Sequence, residues 1–237
     1  MIYFKSFPTT LYQISDAQRG KPAEFVGMVD IVRNVRFKQE VLDNISYFDY
    51  YTMREGETIE VVSEKFYGSP YYHWVLMLLN DRFDYINDLP LNQFQFETYI
   101  EKTYPTDYLD EEYGLTARSL IIDLVDENGF SVDINDGEGE TTRILDTNTG
   151  SLVASRPVVS VQLYDETIKR RIKKFVFKDD NSALDTKLYQ IDFGAMPDIS
   201  PVYAYDLELQ ANDNKRNIRI ISPQVLNIVV DNFKELM

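Results

Sequence analysis

The sequence contains no cysteine, and this absence excludes several kinds of site. Without cysteine the chain forms no disulfide, binds no metal through thiolate and has no cysteine nucleophile. A single histidine, His73, also excludes a histidine cluster of the kind that binds a metal. No phosphate-binding loop, dinucleotide fingerprint or nucleophile elbow appears. We therefore predict no enzyme, no cofactor and no metal site; an unrecognised pair of catalytic carboxylates is the least favoured alternative.

Basic residues are scarce relative to acidic ones. The chain has 24 lysines and arginines against 39 aspartates and glutamates, which gives a formal net charge of −15 at pH 7. Because phosphate backbones repel such a chain, we predict no nucleic-acid partner. The longest apolar run, Trp74 to Leu79, is too short to cross a bilayer, and the N-terminus lacks the pattern of a signal peptide. The sequence therefore predicts no membrane partner, and the lack of cysteine fits assembly in a reducing cytoplasm.

The sequence pattern separates three regions. Residues 1–49 resemble an extended N-terminal arm, in which residues 25–32 have the composition of a strand. Such an arm buries little of its own apolar surface, so it lies either on a neighbouring protein or along the chain's own sheet; the sequence leaves both open. Residues 50–105 have a helical pattern, and residues 106–237 are mostly strand-like. We predict these three ranges as domains.

The central region shows a strand followed by two helices. Residues 50–53 form the predicted strand, and the first helix carries Ile59, Val62 and Phe66 on one face before Gly68 ends it. Ser69-Pro70 favours the start of a second helix, which ends at Asn80. A further amphipathic segment covers about residues 91–104, with Phe94, Tyr99 and Ile100 as its apolar residues.

The C-terminal region is predicted to be rich in strands and to close with a helix. Residues 120–134 have a hairpin pattern around a turn, and residues 158–163 and 203–209 alternate like half-buried strands. An acidic loop at residues 135–140 separates some of these elements. The final helix begins after Ser222-Pro223 and has an apolar stripe that must pack on the chain's own strands or on a partner.

A basic cluster, residues 169–174, stands out in this acidic chain. Acidic residues precede the cluster, and Ile168, Ile172 and Phe175 have helical spacing, which predicts a short helix with bases near its end. One interpretation is a solvated helix end. The other is electrostatic docking of the cluster onto an acidic neighbour, either a second copy of this chain or another protein.

The segment from the first strand to the second helix carries the most specific motif. It contains Tyr51-Thr52-Met53, then Gly56-Glu57-Thr58, and ends at Asn80. Gly56 permits a tight turn, and Glu57 with Thr58 suits the positive end of the following helix. Together these features resemble a LysM module, a βααβ unit that commonly binds glycans containing N-acetylglucosamine, such as peptidoglycan.

A second resemblance covers the same segment and both ends of the chain. It rests on Phe48-Asp49-Tyr50-Tyr51, Glu55-Gly56-Glu57, Phe66-Tyr67-Gly68, His73-Trp74-Val75-Leu76, Asn80-Asp81 and Leu89-Pro90-Leu91, with Tyr3-Phe4, Phe7-Pro8 and residues 214–218. These motifs are similar to those of the baseplate wedge subunit 53 family of T4-like phages. Thr58-Ile59 and Asp84-Tyr85 depart from the family's pattern, and residues 107–200 match no motif of the family.

The wedge-family resemblance implies a structural protein of a contractile-tail baseplate. The family's subunit is present in six copies per baseplate and fastens adjacent wedges by contacting their core helical-bundle proteins, beside the tube and sheath initiation proteins. We therefore expect those proteins and the neighbouring wedges as partners, and the virion tail as the location. The LysM resemblance leaves one alternative, a peptidoglycan-binding module of a tail-associated protein.

A structural role places function in interface side chains, where buried aromatic and arginine anchors supply most of the binding energy. The candidates are Tyr67, Tyr71, Tyr72, His73, Trp74, Lys169, Arg170 and Arg171. Core packing is the favoured interpretation of Trp74. Tyr71 and Tyr72 are better interface candidates, because one of two adjacent helical residues must point away from the core.

Overall fold

The structure is a computed structural model that describes residues 8–15, 22–30, 37, 47–134 and 141–235. Over these residues the chain combines α-helices with small antiparallel sheets. The predicted α+β class is therefore confirmed. Two parts of the predicted sequence pattern, Phe4 with Phe7 and the acidic loop at 135–140, lie outside the described residues.

The chain divides into two compact units. Unit 1 contains residues 1–92 and residues 213–237, and unit 2 contains residues 93–212. The three predicted domains follow the order of the sequence, whereas unit 1 joins residues from both ends of the chain. In sequence terms, unit 2 is inserted within unit 1.

Unit 1 begins with a two-stranded hairpin. Strand β1 (Thr9–Ser15) pairs antiparallel with β2 (Glu24–Val29), so that Tyr12 lies opposite Val26 and Gln13 opposite Phe25. Strand β2 confirms the predicted strand over residues 25–29, and residues 31 and 32 of the prediction lie outside the described residues.

The strand and two helices predicted for the central region are confirmed. Strand β3 (Phe48–Thr52) leads to helix α1 (Ile59–Tyr67), which ends at Gly68 with a left-handed φ of 68°. A 3-10 turn (Pro70–Tyr72) then continues into helix α2 (His73–Leu79). The Ser69 hydroxyl accepts a hydrogen bond from the backbone N–H of Tyr71 at 3.3 Å, as expected for an N-cap.

The second strand of this sheet comes from the far end of the chain. Strand β11 (Asn217–Ile221) pairs antiparallel with β3, and Arg219 lies opposite Tyr50. We predicted a contiguous βααβ module within residues 50–105, but the strand that pairs with β3 lies outside that range. The LysM-like assignment therefore stays a prediction. Helix α6 (Leu226–Glu235) follows β11 and confirms the predicted closing helix.

Apolar side chains of unit 1 form two buried clusters. The first contains Phe37, Trp74, Val75, Leu79, Ile221, Leu226, Val229, Val230 and Phe233. The second contains Met53, Ile59, Val62, Leu76, Leu89, Ile218 and Ile220. Because β11 and α2 contribute to both clusters, the return of the chain at residue 217 is required for the core of unit 1.

Side chains satisfy the edge of β11 that faces away from β3. The Asn80 amide accepts from the Arg219 N–H at 2.7 Å and donates to the Arg219 carbonyl at 2.9 Å. The Tyr67 hydroxyl accepts from the Ile221 N–H at 3.0 Å, and Arg82 donates to the Asn217 carbonyl at 3.3 Å. These bonds fill backbone positions that would otherwise be open to a further strand.

Unit 2 is built from short strands, three α-helices and a 3-10 turn (Phe193–Ala195) over its described residues. Its helices are α3 (Gln93–Thr103), α4 (Thr106–Tyr113) and α5 (Ala204–Asn214, in unit 2 up to residue 212). Its strands are β4 (Ile121–Val125), β5 (Thr142–Asp146), β6 (Leu152–Arg156), β7 (Val158–Asp165), β8 (Arg170–Phe177), β9 (Tyr189–Ile191) and β10 (Ser200–Tyr203).

These strands form three small antiparallel sheets. Strand β5 lies between β6 and β9, β7 pairs with β8, and β4 pairs with β10. A buried apolar cluster of unit 2 contains Leu124, Ile134, Ile144, Val158, Phe175, Phe177, Leu184 and Ile191. The strand predicted at residues 158–163 is confirmed by β7.

The strand predicted at residues 203–209 is wrong, because most of this segment belongs to helix α5. The alternation of apolar residues there is coincidental. Ala204 and Asn212 are buried at a helical separation of eight residues, and Tyr205 is buried beside Ala204. The Tyr205 ring contacts Phe96 edge-on at 5.5 Å, a tertiary contact that the sequence pattern does not reveal.

The short helix predicted around the basic cluster is also wrong. Residues 170–177 form strand β8, and Lys169 occupies the tight turn from β7 with a φ of 53°. Ile172 lies opposite Leu163 and Phe175 opposite Ser160, so their helical spacing is incidental. The acidic residue Asp165 and the basic residue Arg170 face each other across the hairpin instead of lying along a helix.

Two further predictions hold only in part. The helix predicted at about 91–104 exists as α3, but Phe94 is exposed, and Phe96 and Ile100 are the buried residues. The hairpin predicted at 120–134 is reduced to β4 and a single bridge between Val125 and Ser131.

Asp165 ties α4 to the β7–β8 turn. Its buried carboxylate accepts hydrogen bonds from the hydroxyls of Tyr108 at 2.9 Å and Tyr113 at 2.6 Å. It also accepts from the backbone N–H groups of Thr167 and Ile168. Burial alone would raise the pKa of Asp165, but these donors outweigh it and hold the pKa below the ordinary value of 3.8.

Asn80→Ala tests the contact between α2 and β11. The change removes the two Asn80 bonds to Arg219 and a third, at 2.8 Å, to the Leu76 carbonyl. At about 1 kcal/mol per net hydrogen bond, we expect the free energy of unfolding to fall by about 2–3 kcal/mol. Urea denaturation measures the change. Asn148→Ala, in an exposed turn of unit 2, is the control, and equal stability of both variants would contradict this role for Asn80.

Tyr113→Phe tests the Asp165 network through its pH dependence. A carboxylate with a lowered folded pKa stabilises the fold above its unfolded pKa, and this contribution disappears as pH falls through the folded value. We expect the variant to lose about 1–2 kcal/mol of unfolding free energy at pH 7 and less below about pH 3. Tyr164→Phe, at an exposed tyrosine of β7, should change little. A Tyr113→Phe deficit that is the same at both pH values would contradict the charge-dependent bond.

Candidate protein-docking surfaces

Tyr67 and Tyr72 pack within unit 1. Their rings meet edge-on with centroids 6.0 Å apart, and both side chains are half-buried. Burial raises the pKa of Tyr67, and its hydroxyl accepts the Ile221 N–H of β11. Both tyrosines therefore serve the internal packing of the unit.

Trp74 is a core residue, as the favoured interpretation of the sequence predicted. Its ring lies 4.8 Å from Phe233 and 6.5 Å from Phe37, measured between centroids. His73 is half-buried, with its Nδ1 atom 2.9 Å from the Pro70 carbonyl. Tyr71 differs from the other four predicted aromatic residues of this segment because its side chain is 58% exposed. It is the member of this group whose ring is available to a partner.

The predicted basic residues belong to unit 2 and lie around the β7–β8 turn. Arg170 is ion-paired with Glu208 at 2.9 Å, and Glu208 also accepts from the hydroxyl of Tyr104. Arg170 is therefore engaged inside its own unit. Lys169 and Arg171 are exposed, so their positive charges are available to an acidic neighbour.

The hairpin of unit 1 exposes far more apolar surface than the predicted aromatic group. Its side chains alternate between two faces, and both faces are apolar. The exposed residues, each between 40% and 73% accessible, are Leu11, Tyr12, Ile14, Phe25, Val26, Met28 and Val29. The sequence analysis predicts an arm at this position but names none of its residues as an interface candidate. Apolar residues at both odd and even positions of the strands would have indicated that both faces are apolar.

A second exposed apolar group lies in the loop after α2. Phe83, Tyr85 and Ile86 are exposed, with Ile86 at 76%. Sequence reasoning missed all three, because a short loop carries no periodic pattern that separates core residues from surface residues. The local sequence indicates an exposed apolar group only through aromatic and branched residues placed between aspartates.

Unit 2 contains an open cavity of about 190 Å³, with Phe175, Tyr189 and Phe193 among its lining residues. Lys173 also lines it, but its amino group is 2.6 Å from Asp133 and 3.5 Å from Asp123. The amine is therefore engaged as an ion pair. The described part of the chain contains no cluster of three or more acidic or histidine side chains suited to a metal ion. No described helix has the length and apolar character needed to cross a membrane.

Comparison with protein-family models gives a match to part of the chain. The family model described as base plate wedge protein 53 matches residues 2–106, a range that includes the hairpin, both central helices and the loop at residues 83–88. No curated protein matches the chain. The family has a structural role in the phage baseplate, which implies a location in the virion tail and contacts with other baseplate components. Residues 2–106, somewhat less than half of the chain, are therefore similar to the base plate wedge protein 53 family.

Proposed function

We propose that this chain fastens adjacent wedges of a contractile-tail baseplate to one another through protein–protein contacts. The observation that supports this proposal most directly is the apolar surface of the β1–β2 hairpin. Its partners in the proposal are core helical-bundle proteins of the wedge, the neighbouring wedge, and the tube and sheath initiation proteins. Six copies per baseplate are proposed.

A hairpin of this kind is unstable as an isolated element. Two strands alone are marginal in water, and stability requires an apolar face packed on a third element. Tyr12 and Val26 share one face of the hairpin, while Leu11 and Phe25 lie on the other, and all four are exposed. Burial of both faces requires contact on two sides. A strand pair held between two protein surfaces connects them, and connection is the property that a fastening protein needs.

Charge and composition support a protein partner for the same surface. The hairpin's exposed surface is apolar and includes Phe25 and Tyr12, the residue types that supply interface anchors. The chain's net charge of −15 disfavours nucleic acid and anionic lipid surfaces. Lys169 and Arg171 in unit 2, together with exposed Tyr71 in unit 1, are proposed as additional contacts.

A second candidate function is peptidoglycan binding through the helix-pair segment. The observation that favours it is the exposure of Tyr50 and Tyr71, since flat aromatic rings stack against sugar rings. The composition of the hairpin argues for the first candidate, because a glycan offers little apolar surface to cover Leu11, Ile14 and Met28.

Hairpin variants test the fastening function. In the double variant Tyr12→Ser and Val26→Ser, we expect at least a tenfold loss of co-purification with the other wedge proteins of the same phage, co-expressed with this chain. The reason is the loss of apolar contact area on one hairpin face, at about 25 cal/mol per Å². Leu152→Ser with Val153→Ser, two exposed residues of β6 in unit 2, is the matched control. Undiminished co-purification of the hairpin variant would contradict the proposal.

Retention on purified peptidoglycan tests the second candidate. For a protein that fastens wedges, we expect no saturable retention of the wild-type chain on cell-wall sacculi. Saturable retention that disappears in Tyr50→Ala and Tyr71→Ala, but not in the Leu152→Ser and Val153→Ser control, would favour the glycan-binding function instead.

A further inference from the structure

We propose that residues 83–88, the docking loop, insert Phe83 and Ile86 into an apolar socket on another wedge protein, and that lysine or arginine side chains surround this socket. The inference rests on the proposed fastening function and names a second contact, separate from the hairpin. Three observations support it: the exposure of these side chains, the fixed backbone that carries them and the charge around them.

The docking loop presents apolar side chains outward. Phe83 is 52% exposed and Ile86 is 76% exposed, and Tyr85 between them is 47% exposed. Single exposed apolar residues are common on protein surfaces, but three within four positions are the composition of an interface core. The loop belongs to the range that matches the wedge family, so the surface lies on the part of the chain with the family's structural role.

Hydrogen bonds within the docking loop fix its backbone. The Asp88 carboxylate accepts from the N–H groups of Phe83 and Asp84, both at 2.8 Å. The Asp84 carboxylate accepts from the N–H groups of Ile86 at 2.8 Å and Asn87 at 3.2 Å. A loop held in this way loses little conformational freedom when it binds, so more of the contact energy appears as affinity.

The rest of unit 1 holds the docking loop at three further points. The Tyr85 hydroxyl donates to Glu60 of α1 at 2.6 Å, and Lys215 donates to the Asn87 carbonyl at 2.7 Å. Arg82, buried at the start of the loop, donates to the Asn217 carbonyl of β11. The apolar side chains therefore project from a surface that is fixed at its base, as a binding anchor requires.

The charge around the docking loop selects its partner. Glu60, Asp81, Asp84 and Asp88 supply four carboxylates, against the two cations Arg82 and Lys215. Backbone N–H donors hold the pKa of both Asp84 and Asp88 below their ordinary values, so these groups are ionised at neutral pH. An apolar centre with a negative rim is complementary to an apolar socket with a positive rim. A protein surface of that kind is the occupant that we propose.

The test measures binding of this chain to the purified wedge subcomplex of the same phage, assembled without it. We expect Phe83→Ser with Ile86→Ser to raise the Kd at least tenfold. Neither change removes a hydrogen bond of the loop, since the bonds of Phe83 and Ile86 come from their backbones. Ile228→Ser, an exposed residue of α6 in the same unit, is the matched control and should stay within twofold of the wild type. Thermal melting checks that all variants are folded; if the double variant melts early, Ile86→Ser alone replaces it.

Charge variants test the nature of the socket. Asp81→Asn keeps the backbone conformation, because Asn also tolerates the positive φ of 52° at this position, and Glu60→Gln keeps an acceptor for Tyr85. The wild-type Kd should rise between 0.1 and 0.5 M NaCl, and the variant pair should show a weaker salt dependence and slower association. A wild-type Kd that does not depend on salt would contradict the claim that lysine or arginine side chains surround the socket.

The possible outcomes separate this inference from the proposed function. If the wild type binds the subcomplex and the loop variant binds equally well, the docking loop is not a contact, while the fastening function stands. If the wild type does not bind at all, both fail. Loop-dependent retention on peptidoglycan, or loop-dependent self-association in gel filtration, would assign the surface to a sugar or to a second copy of this chain and overturn the inference.

Discussion

The pairing of β3 with β11 is the constraint on which unit 1 depends. These strands are separated by more than 160 residues, so their contact closes a long loop at an entropic cost that local contacts do not offset. The cost is met by two apolar clusters, to which β11 contributes Ile218, Ile220 and Ile221. Side chains from the helix pair form hydrogen bonds with the other edge of β11. The Asn80 side chain bonds both the N–H and the carbonyl of Arg219, as the backbone of a neighbouring strand would. Helices, sheet and the base of the docking loop are thus held by one returning strand.

Local chemistry made the helix pair predictable from sequence. Gly68 ends α1 and Ser69-Pro70 begins the next helical segment because both act within one turn of chain. The strand that completes the sheet could not be identified in the same way, since nothing near residue 50 specifies a partner near residue 217. At residues 169–174 and 203–209 a short apolar pattern fits two periods. Pairing with the preceding strand β7 decides the first case, and the distant contact of Tyr205 with Phe96 contributes to the second.

The candidate interface residues stay predictions, and the structure places them in different surroundings. Aromatic residues of the α2 segment were chosen by type, yet Trp74 and Tyr67 are used within the unit, and Tyr71 alone among these five is mostly exposed. The hairpin exposes more apolar side chains than this aromatic group does, and it lacks the alternation of apolar and polar residues that marks one buried face. An element that is apolar on both faces is costly in water and is stabilised when partners cover it. Our proposal assigns the contacts with other baseplate proteins to this part of the chain.

Hydrogen–deuterium exchange tests the central claim most directly, by comparing the free chain with the chain in assembled baseplates. If the hairpin fastens wedges, backbone amides of Thr9–Ser15 and Glu24–Val29 should exchange quickly in the free protein and slow by at least tenfold after assembly. Amides of the exposed strand β6 provide the internal reference and should change little. Equal exchange of the hairpin in both states would show that no partner covers it and would contradict the account.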